Sequence, residues 1–306
     1  MDYKYYLEKL EGILADPLPE TPSESLAPFS EAWANASLEM QTKIDGIELP
    51  GWDFFNDASK GFRKNEFTIL CGPTGVGKTT LLANLACTLS AGGTPIFVGS
   101  VETGKNDFMR VMAGILTGKN PYDLWSDSEL AEAEKDFGSI LKSERNMFCR
   151  YDSRVSHKRL LADLLFAHDA LGTKVALVDN LNFIMDITRS ADQIVEMDKT
   201  VHDFVVFVKK IPMHVVMVMH PKKTDSGRVG SEFDIKGSST AVQEASNVIL
   251  WNRLESQKDA PMGMLAPEWC RELKFCKVRK NGRAVGTRII YSIDNASPKM
   301  KEERIL

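Results

Sequence analysis

Phe67-Thr68-Ile69-Leu70-Cys71-Gly72-Pro73-Thr74-Gly75-Val76-Gly77-Lys78-Thr79-Thr80 decides the reading of this chain. A β-branched and apolar run passes into Gly72-x-x-x-x-Gly77-Lys78-Thr79, and Leu81-Leu82-Ala83 opens a helix-like stretch. That is the strand, loop and helix context a phosphate-binding loop requires. The glycines let backbone N–H groups curl around a polyphosphate with no Cβ in the way, and the helix adds the positive end of its dipole. Gly72, Pro73, Thr74, Gly75, Val76, Gly77, Lys78, Thr79 and Thr80 form the predicted cradle. Lys78 is expected to reach the β- and γ-phosphates, and the Thr79 hydroxyl to ligate Mg²⁺. A chance glycine-rich turn is the alternative, and the Lys-Thr pair behind an apolar strand weighs against it.

Composition sets outer bounds on what surrounds this loop. With 306 residues, 43% hydrophobic and 26% charged, the chain can bury one large core with a smaller appendage. No apolar run reaches the length of a membrane span, and Met1-Asp2-Tyr3-Lys4-Tyr5-Tyr6 lacks a signal-peptide core or transit pattern, so a cytoplasmic, membrane-free protein is expected. Cys71, Cys87, Cys149, Cys270 and Cys276 form no CxxC pair and read as reduced core residues, not a zinc site. A net charge of −4 restricts any nucleic-acid binding to a local patch.

Tyr3, Leu7, Leu10 and Leu14 fall at helical spacing, Asp16 to Ser23 with its prolines reads as an extended linker, and a second helix is expected over about 24–42. Residues 1–45 are thus predicted to be a helical segment and linker, either a plain tail or an element docked on a neighbouring subunit. From residue 67 strand-like runs at 67–71, 95–100, 174–179 and 213–219 alternate with helical periodicity near 78–90, 105–117, 156–171 and 193–210. That pattern predicts an α/β fold with a mainly parallel central sheet flanked by helices. After Lys236 strands are expected at 247–253, 273–279 and 286–294, the last two joined around Lys280-Asn281-Gly282 and antiparallel.

Three strand ends carry candidate chemistry. Val175-Ala176-Leu177-Val178-Asp179 ends in a carboxylate, and in P-loop ATPases a strand beside the loop ends in an Asp that holds the Mg²⁺ shell. Glu102 follows the second strand, where a carboxylate would face the γ-phosphate and polarise water as a general base; the alternative is an acidic residue favoured by the next helix dipole. His214 to Met219 delivers His220, placed to touch the γ-phosphate and report its loss, or to serve only as a structural hydrogen-bonder. Lys222 and Lys223 open a Gly-, Ser- and charge-rich loop running to Lys236, Gly237 and Ser238, which suits contact with a phosphate backbone. A second basic cluster includes Arg271, Lys274, Lys277, Arg279, Lys280, Arg283 and Arg288. Lys277 and Arg279 alternate along a strand and so suit a phosphate clamp, although a solvated face is the ordinary reading of such a run.

These stretches together resemble one family. Ile47-Glu48-Leu49-Pro50-Gly51-Trp52-Asp53-Phe54, the phosphate loop, Ser100-Val101-Glu102, Val178-Asp179-Asn180-Leu181-Asn182-Phe183-Ile184, Val218-Met219-His220-Pro221-Lys222-Lys223, the run from Lys236 to Val248, and Lys277-Val278-Arg279-Lys280-Asn281-Gly282 are similar, in order, to the ATPase domain of Twinkle and phage replicative ring helicases of the DnaB superfamily. The resemblance covers about residues 46–295. It implies a RecA-like ATPase domain over 46–306, binding ATP and Mg²⁺ at subunit interfaces of a ring, usually a hexamer. It further implies an ATP hydrolase and DNA helicase that moves 5′-to-3′ on single-stranded DNA at replication forks, with a primase, polymerase or loader as candidate partners.

Carried over residue by residue, Lys78 and Thr79 resemble the phosphate and metal contacts, Glu102 the base, Asp179 the metal-shell carboxylate and His220 the γ-phosphate sensor. Arg279 resembles an arginine finger and Lys277 its companion, both serving the next subunit. Lys222, Lys223, Lys236, Gly237 and Ser238 resemble DNA-binding channel loops, and Arg253 an adenine contact. The primase fused to many relatives is not expected, because about 45 preceding residues cannot hold it. Residues 255–269 replace a short turn and have no assigned role. A recombination or remodelling ATPase and a non-catalytic ring or loader scaffold are the competing readings.

Overall fold

The computed structural model describes residues 2–15, 28–41, 46–100, 102–150, 156–180, 193–222, 228–236, 239–254, 269–294 and 296–306. Lys223, Gly237, Ser238 and residues 255–268 lie outside these. In chain order the elements are α1 (Tyr3–Leu14), α2 (Phe29–Gln41), α3 (Asp53–Ser59), β1 (Glu66–Cys71), α4 (Lys78–Ala91), β2 (Ile96–Ser100), α5 (Lys105–Thr117), α6 (Asp127–Leu141), β3 (Met147–Arg150), α7 (His157–Leu171), β4 (Val175–Asp179), α8 (Gln193–Lys210), β5 (His214–Met219), α9 (Ser239–Glu244), β6 (Asn247–Arg253), β7 (Cys270–Val278), β8 (Arg288–Ile293) and β9 (Met300–Ile305).

The strands pair in the order β3-β2-β4-β5-β1-β6-β7-β8-β9. From β3 to β6 the neighbours are parallel, and β7, β8 and β9 add an antiparallel extension. The mixed sheet expected from sequence is therefore the sheet observed. One detail differs: β4, which ends in Asp179, does not lie beside β1, because β5 is inserted between them. The continuous apolar runs are explained by burial on both faces. Phe67, Ile69 and Cys71 of β1, Ala176 and Val178 of β4, and Val215 and Met217 of β5 enter one apolar layer with α7 and α8. The alternate residues Leu70, Val175, Leu177, Val216 and Val218 enter the other, with α4 and α5.

Two elements between β2 and α7 escaped the sequence reading. Strand β3 is a four-residue edge, too short for its periodicity to register. Helix α6 carries a legible signal, since Ser126 and Glu129 form a reciprocal capping box at its start. Strand β8 begins at Arg288, two residues later than expected, because Gly282–Ala284 make a short 3₁₀ turn.

Helix α1 packs on α7 and α8 of its own chain. Leu10 is buried, the Tyr3 hydroxyl donates to Asp163 Oδ1 at 2.6 Å, and Lys210 Nζ donates to the carbonyls of Ile13 and Ala15 at 2.6 and 2.9 Å, closing the helix C-terminus. The linker thus does not prevent α1 from reaching its own core. Among the described residues no helix is long and apolar enough to cross a membrane.

Candidate active site

The C-terminal ends of β1, β2, β4 and β5 converge on a cavity of about 460 Å³, lined by Thr74, Gly75, Gly77, Lys78, Thr79, Glu102, Asp179 and His220. The loop after β1 is held by its own composition. Gly75 (φ +74°) and Gly77 (φ +90°) occupy the left-handed region that side chains disfavour, and open space lies where a Cβ of Gly75 would stand. Gly72 is fixed by crowding instead, as a Cβ there would come within 2.4 Å of the Trp251 carbonyl oxygen of β6. Val76 anchors the loop by burying its side chain. Lys78 folds back over the loop and donates to the carbonyls of Gly72 (2.9 Å) and Pro73 (2.8 Å). Burial lowers the pKa of this ammonium, with the charges of Asp179, Cys71 and Glu102 acting against the shift.

Thr79 opens α4 and donates its hydroxyl to Asp179 Oδ2 at 2.8 Å, joining two positions about a hundred residues apart in sequence. Asp179 is 2% exposed, and its Oδ1 is buried with no hydrogen-bond partner. Burial pushes its carboxyl pKa up; the Thr79 hydroxyl opposes the shift and nearby Glu102 adds to it. A buried carboxylate with one oxygen unsatisfied, beside a hydroxyl at a helix N-terminus, is the donor set a hard divalent cation uses. The residues present therefore fit Mg²⁺, through Thr79 and Asp179.

Strand β2 ends at Ser100, whose hydroxyl accepts from the Thr103 backbone N–H at 2.9 Å, and this turn brings Glu102 to the cavity. Asn180, fully buried directly after β4, links the two remaining groups. Its Nδ2 donates to Glu102 Oε1 and to His220 Nε2, each at 2.9 Å. An amide nitrogen only donates, so His220 Nε2 accepts and the ring proton sits on Nδ1. Glu102 Oε1 and His220 Nε2 are 3.5 Å apart. Sequence reading assigned no role to Asn180; its one signal is its position immediately beyond the strand-end Asp179.

Other predicted residues stand apart from the cavity. Gly72, Pro73, Val76 and Thr80 do not line it and act through the loop's backbone and packing. Arg253, at the end of β6, donates to the Gly75 carbonyl at 3.3 Å. Its cross-strand neighbour Arg271 donates through Nε to the Val76 carbonyl at 2.9 Å, so this second arginine, read from sequence only as part of a basic cluster, also supports the loop. Lys277 Nζ donates to the carbonyls of Val242 (3.0 Å) and Gln243 (2.5 Å), and Arg279 to that of Glu244 (3.2 Å). They point together, as their spacing suggested, but onto the C-terminal carbonyls of α9 and not into the cavity of their own chain. Lys222 and Lys236 are exposed on a small antiparallel stem. Pro221 bridges Ile235, and the Lys236 N–H donates to the His220 carbonyl at 3.0 Å.

Comparison with known proteins agrees with this architecture. A structure of a DnaB-like replicative helicase and its interactions with primase superposes with a TM-score of 0.73 at 13% identity, covering 98% of this chain and 76% of that one. A second solved structure, of an isolated ATPase domain, also superposes with a TM-score of 0.73, at 14% identity, covering 90% of this chain and 99% of that one. The fold is therefore the RecA-like fold of DnaB-type ATPase domains, as the resemblance implied. A DNA helicase/primase of Enterobacteria phage T3 is 23% identical over 239 residues, which is 73% of this chain. The chain spans 42% of that relative's length. The AAA domain family model matches residues 55–226, more than half of the chain and all four strand ends around the cavity, and the chain belongs to that family.

Proposed function

We propose that this chain is the ATPase motor of a ring-shaped replicative DNA helicase that hydrolyses ATP, moves 5′-to-3′ on single-stranded DNA and separates duplex strands ahead of it. The observation that carries this reading is the convergence of Lys78, Thr79, Glu102, Asp179 and His220, from four strand ends, on one cavity whose His220 edge continues into the stem bearing Lys222 and Lys236. The phage T3 relative adds support for the substrate class, and the DnaB-like helicase for a primase as partner.

The geometry assigns each side chain a task. Gly75 and Gly77 leave room for the phosphates, and Lys78 exchanges its loop carbonyls for β- and γ-phosphate oxygens. Thr79 and Asp179 would hold Mg²⁺, which when bound neutralises charge on those oxygens. Glu102 accepts a proton from water as the water oxygen bonds to the γ-phosphorus and the bond to the β,γ-bridging oxygen breaks. Asn180 holds Glu102 and His220 in register, so that release of phosphate alters the contacts of His220 and, through its carbonyl, the stem. Arg279 and Lys277 are assigned to the site of the neighbouring subunit, consistent with their absence from the cavity of their own chain. In a hexamer such an arrangement makes hydrolysis depend on assembly.

Lys78→Ala is expected to abolish ATP turnover and the unwinding of a forked duplex together. Full turnover in that variant would remove the ATPase assignment. Turnover in the native protein without strand separation would leave a remodelling ATPase in place of a helicase.

A further inference from the structure

The stem that carries Lys222 and Lys236 also carries an aromatic side chain that the proposed mechanism does not use. Phe233 is 72% exposed at the crest of the 3₁₀ turn Glu232–Asp234. An exposed phenyl ring on a loose loop would call for no comment, but this turn is heavily fixed. Asp234 Oδ2 accepts from the N–H groups of Gly230 (2.8 Å) and Ser231 (2.9 Å). Lys222 N–H donates to the Asp234 carbonyl at 2.6 Å, and Lys222 Nζ to the Phe233 carbonyl itself at 2.8 Å. Behind the turn, Asn252 of β6 clamps both backbone groups of Val229 (3.0 and 2.9 Å), and Lys274 donates to the Gly230 carbonyl at 3.0 Å. Arg228 pairs at 2.7 Å with Glu272, a fully buried carboxylate of β7 that also holds Arg288. The turn is bolted to the antiparallel half of the sheet, and its exposed ring is thereby presented at a fixed place.

The charge around that ring favours an anionic partner. Lys222 and Lys236 flank it from the two arms of the stem, and both are exposed. The two acidic neighbours are turned inward: Asp234 is engaged by the backbone N–H groups, and Glu232 hydrogen-bonds the Cys276 thiol. A rigid aromatic between cations is how proteins hold a single nucleic-acid strand, the cations tracking phosphates and the ring taking the face of an unpaired base.

We propose that Phe233 is a base-stacking platform for single-stranded DNA. The inference rests on the DNA-translocating reading above and adds to it a contact with the bases, which the lysines cannot make. Stacking depends on the presence of a base and not on its identity, so the platform is sequence-tolerant. It also gives the strand a fixed step against each subunit.

The test compares binding of the full chain, with a non-hydrolysable ATP analogue, to a labelled oligo-dT and to an oligonucleotide of equal length made of abasic units. The native protein is expected to prefer oligo-dT by between about five- and a hundred-fold, the range for one stacked base. Phe233→Ala should lose that preference while keeping its affinity for the abasic strand and an unchanged salt slope. Phe233→Trp should retain it. Lys236→Ala should behave in the opposite way, lowering the salt slope on both strands by about 0.7 and sparing the preference. Equal native affinity for the two strands, or a preference that survives Phe233→Ala, overturns the platform while the DNA reading stands. Failure of the native protein to bind either strand removes both. Loss of subunit assembly in Phe233→Ala, with the base preference intact in the rings that remain, would make Phe233 a protein contact and overturn the proposal.

Discussion

Asn180→Ala offers the sharpest test of how the catalytic carboxylate is positioned. The amide is fully buried and directs both hydrogens into the site, one to Glu102 and one to His220. A hydrogen bond to a charged group contributes about 1.5–3 kcal/mol, and about 1.4 kcal/mol of barrier is a factor of ten in rate. If the bond to Glu102 serves to aim the base, its removal should lower kcat by roughly ten- to a hundred-fold, with KM for ATP little changed. Glu102→Gln removes the base itself and should cost about a hundred-fold or more. Because Asn180 acts through Glu102, the two losses should not add: Asn180→Ala placed in the Glu102→Gln background should change kcat by much less than it does alone. The assay is steady-state ATP hydrolysis by the four proteins of the cycle, with binding of a fluorescent nucleotide and thermal unfolding as checks on the fold. A full additional loss in the double variant would refute the positioning argument, and an unchanged kcat in Asn180→Ala would refute it more simply.

Two further expectations follow from other parts of the molecule. His214 is fully buried, its Nδ1 donating to the Arg63 carbonyl and its Nε2 accepting from the Thr68 hydroxyl, each at 2.8 Å, and burial pushes its pKa down to about 4. Since the unfolded chain protonates near 6.5 and the folded one only near 4, stability should be lost as pH falls across that window, by about 3 kcal/mol in all. Glu66 adds to the loss below about pH 4.5. Burial favours its neutral form, but hydrogen bonds from Arg63 and Asn247 outweigh this and hold its carboxyl pKa low. Thermal unfolding of His214→Asn should be less sensitive between pH 6.5 and 4; an identical pH profile would exclude His214 as the cause. In mixed assemblies, Arg279→Ala and Lys78→Ala subunits should be inactive alone and regain partial ATPase activity together, since some interfaces then pair an intact phosphate loop with an intact arginine. Persistent inactivity in verified mixed rings would argue against a finger acting between subunits, and full activity of Arg279→Ala alone would remove the finger altogether.

The residues that bind phosphate and metal were legible in the sequence because their chemistry is local. Gly75, Gly77, Lys78 and Thr79 work through backbone conformations and a helix start that a run of eight residues specifies by itself, and the alternation of apolar runs with helical periods fixes the α/β class. Asp179, Glu102 and His220 were legible more weakly, as polar residues at the tips of buried strands, a place where a parallel sheet gathers its ligands. What no spacing could decide was which tips meet. The insertion of β5 between β1 and β4 sets the distance from Thr79 to Asp179, and it depends on pairings between segments far apart in the chain. Asn180 bridges Glu102 and His220 only once three strands are aligned, so its role belongs to the tertiary structure. The same holds for Phe233, which in sequence is one apolar residue in a polar loop. Its exposure and rigidity come from Asn252, Lys274 and Glu272 on strands that follow it, because a loop's conformation is set by what its ends and carbonyls find to bond, and those partners are assembled only by the fold.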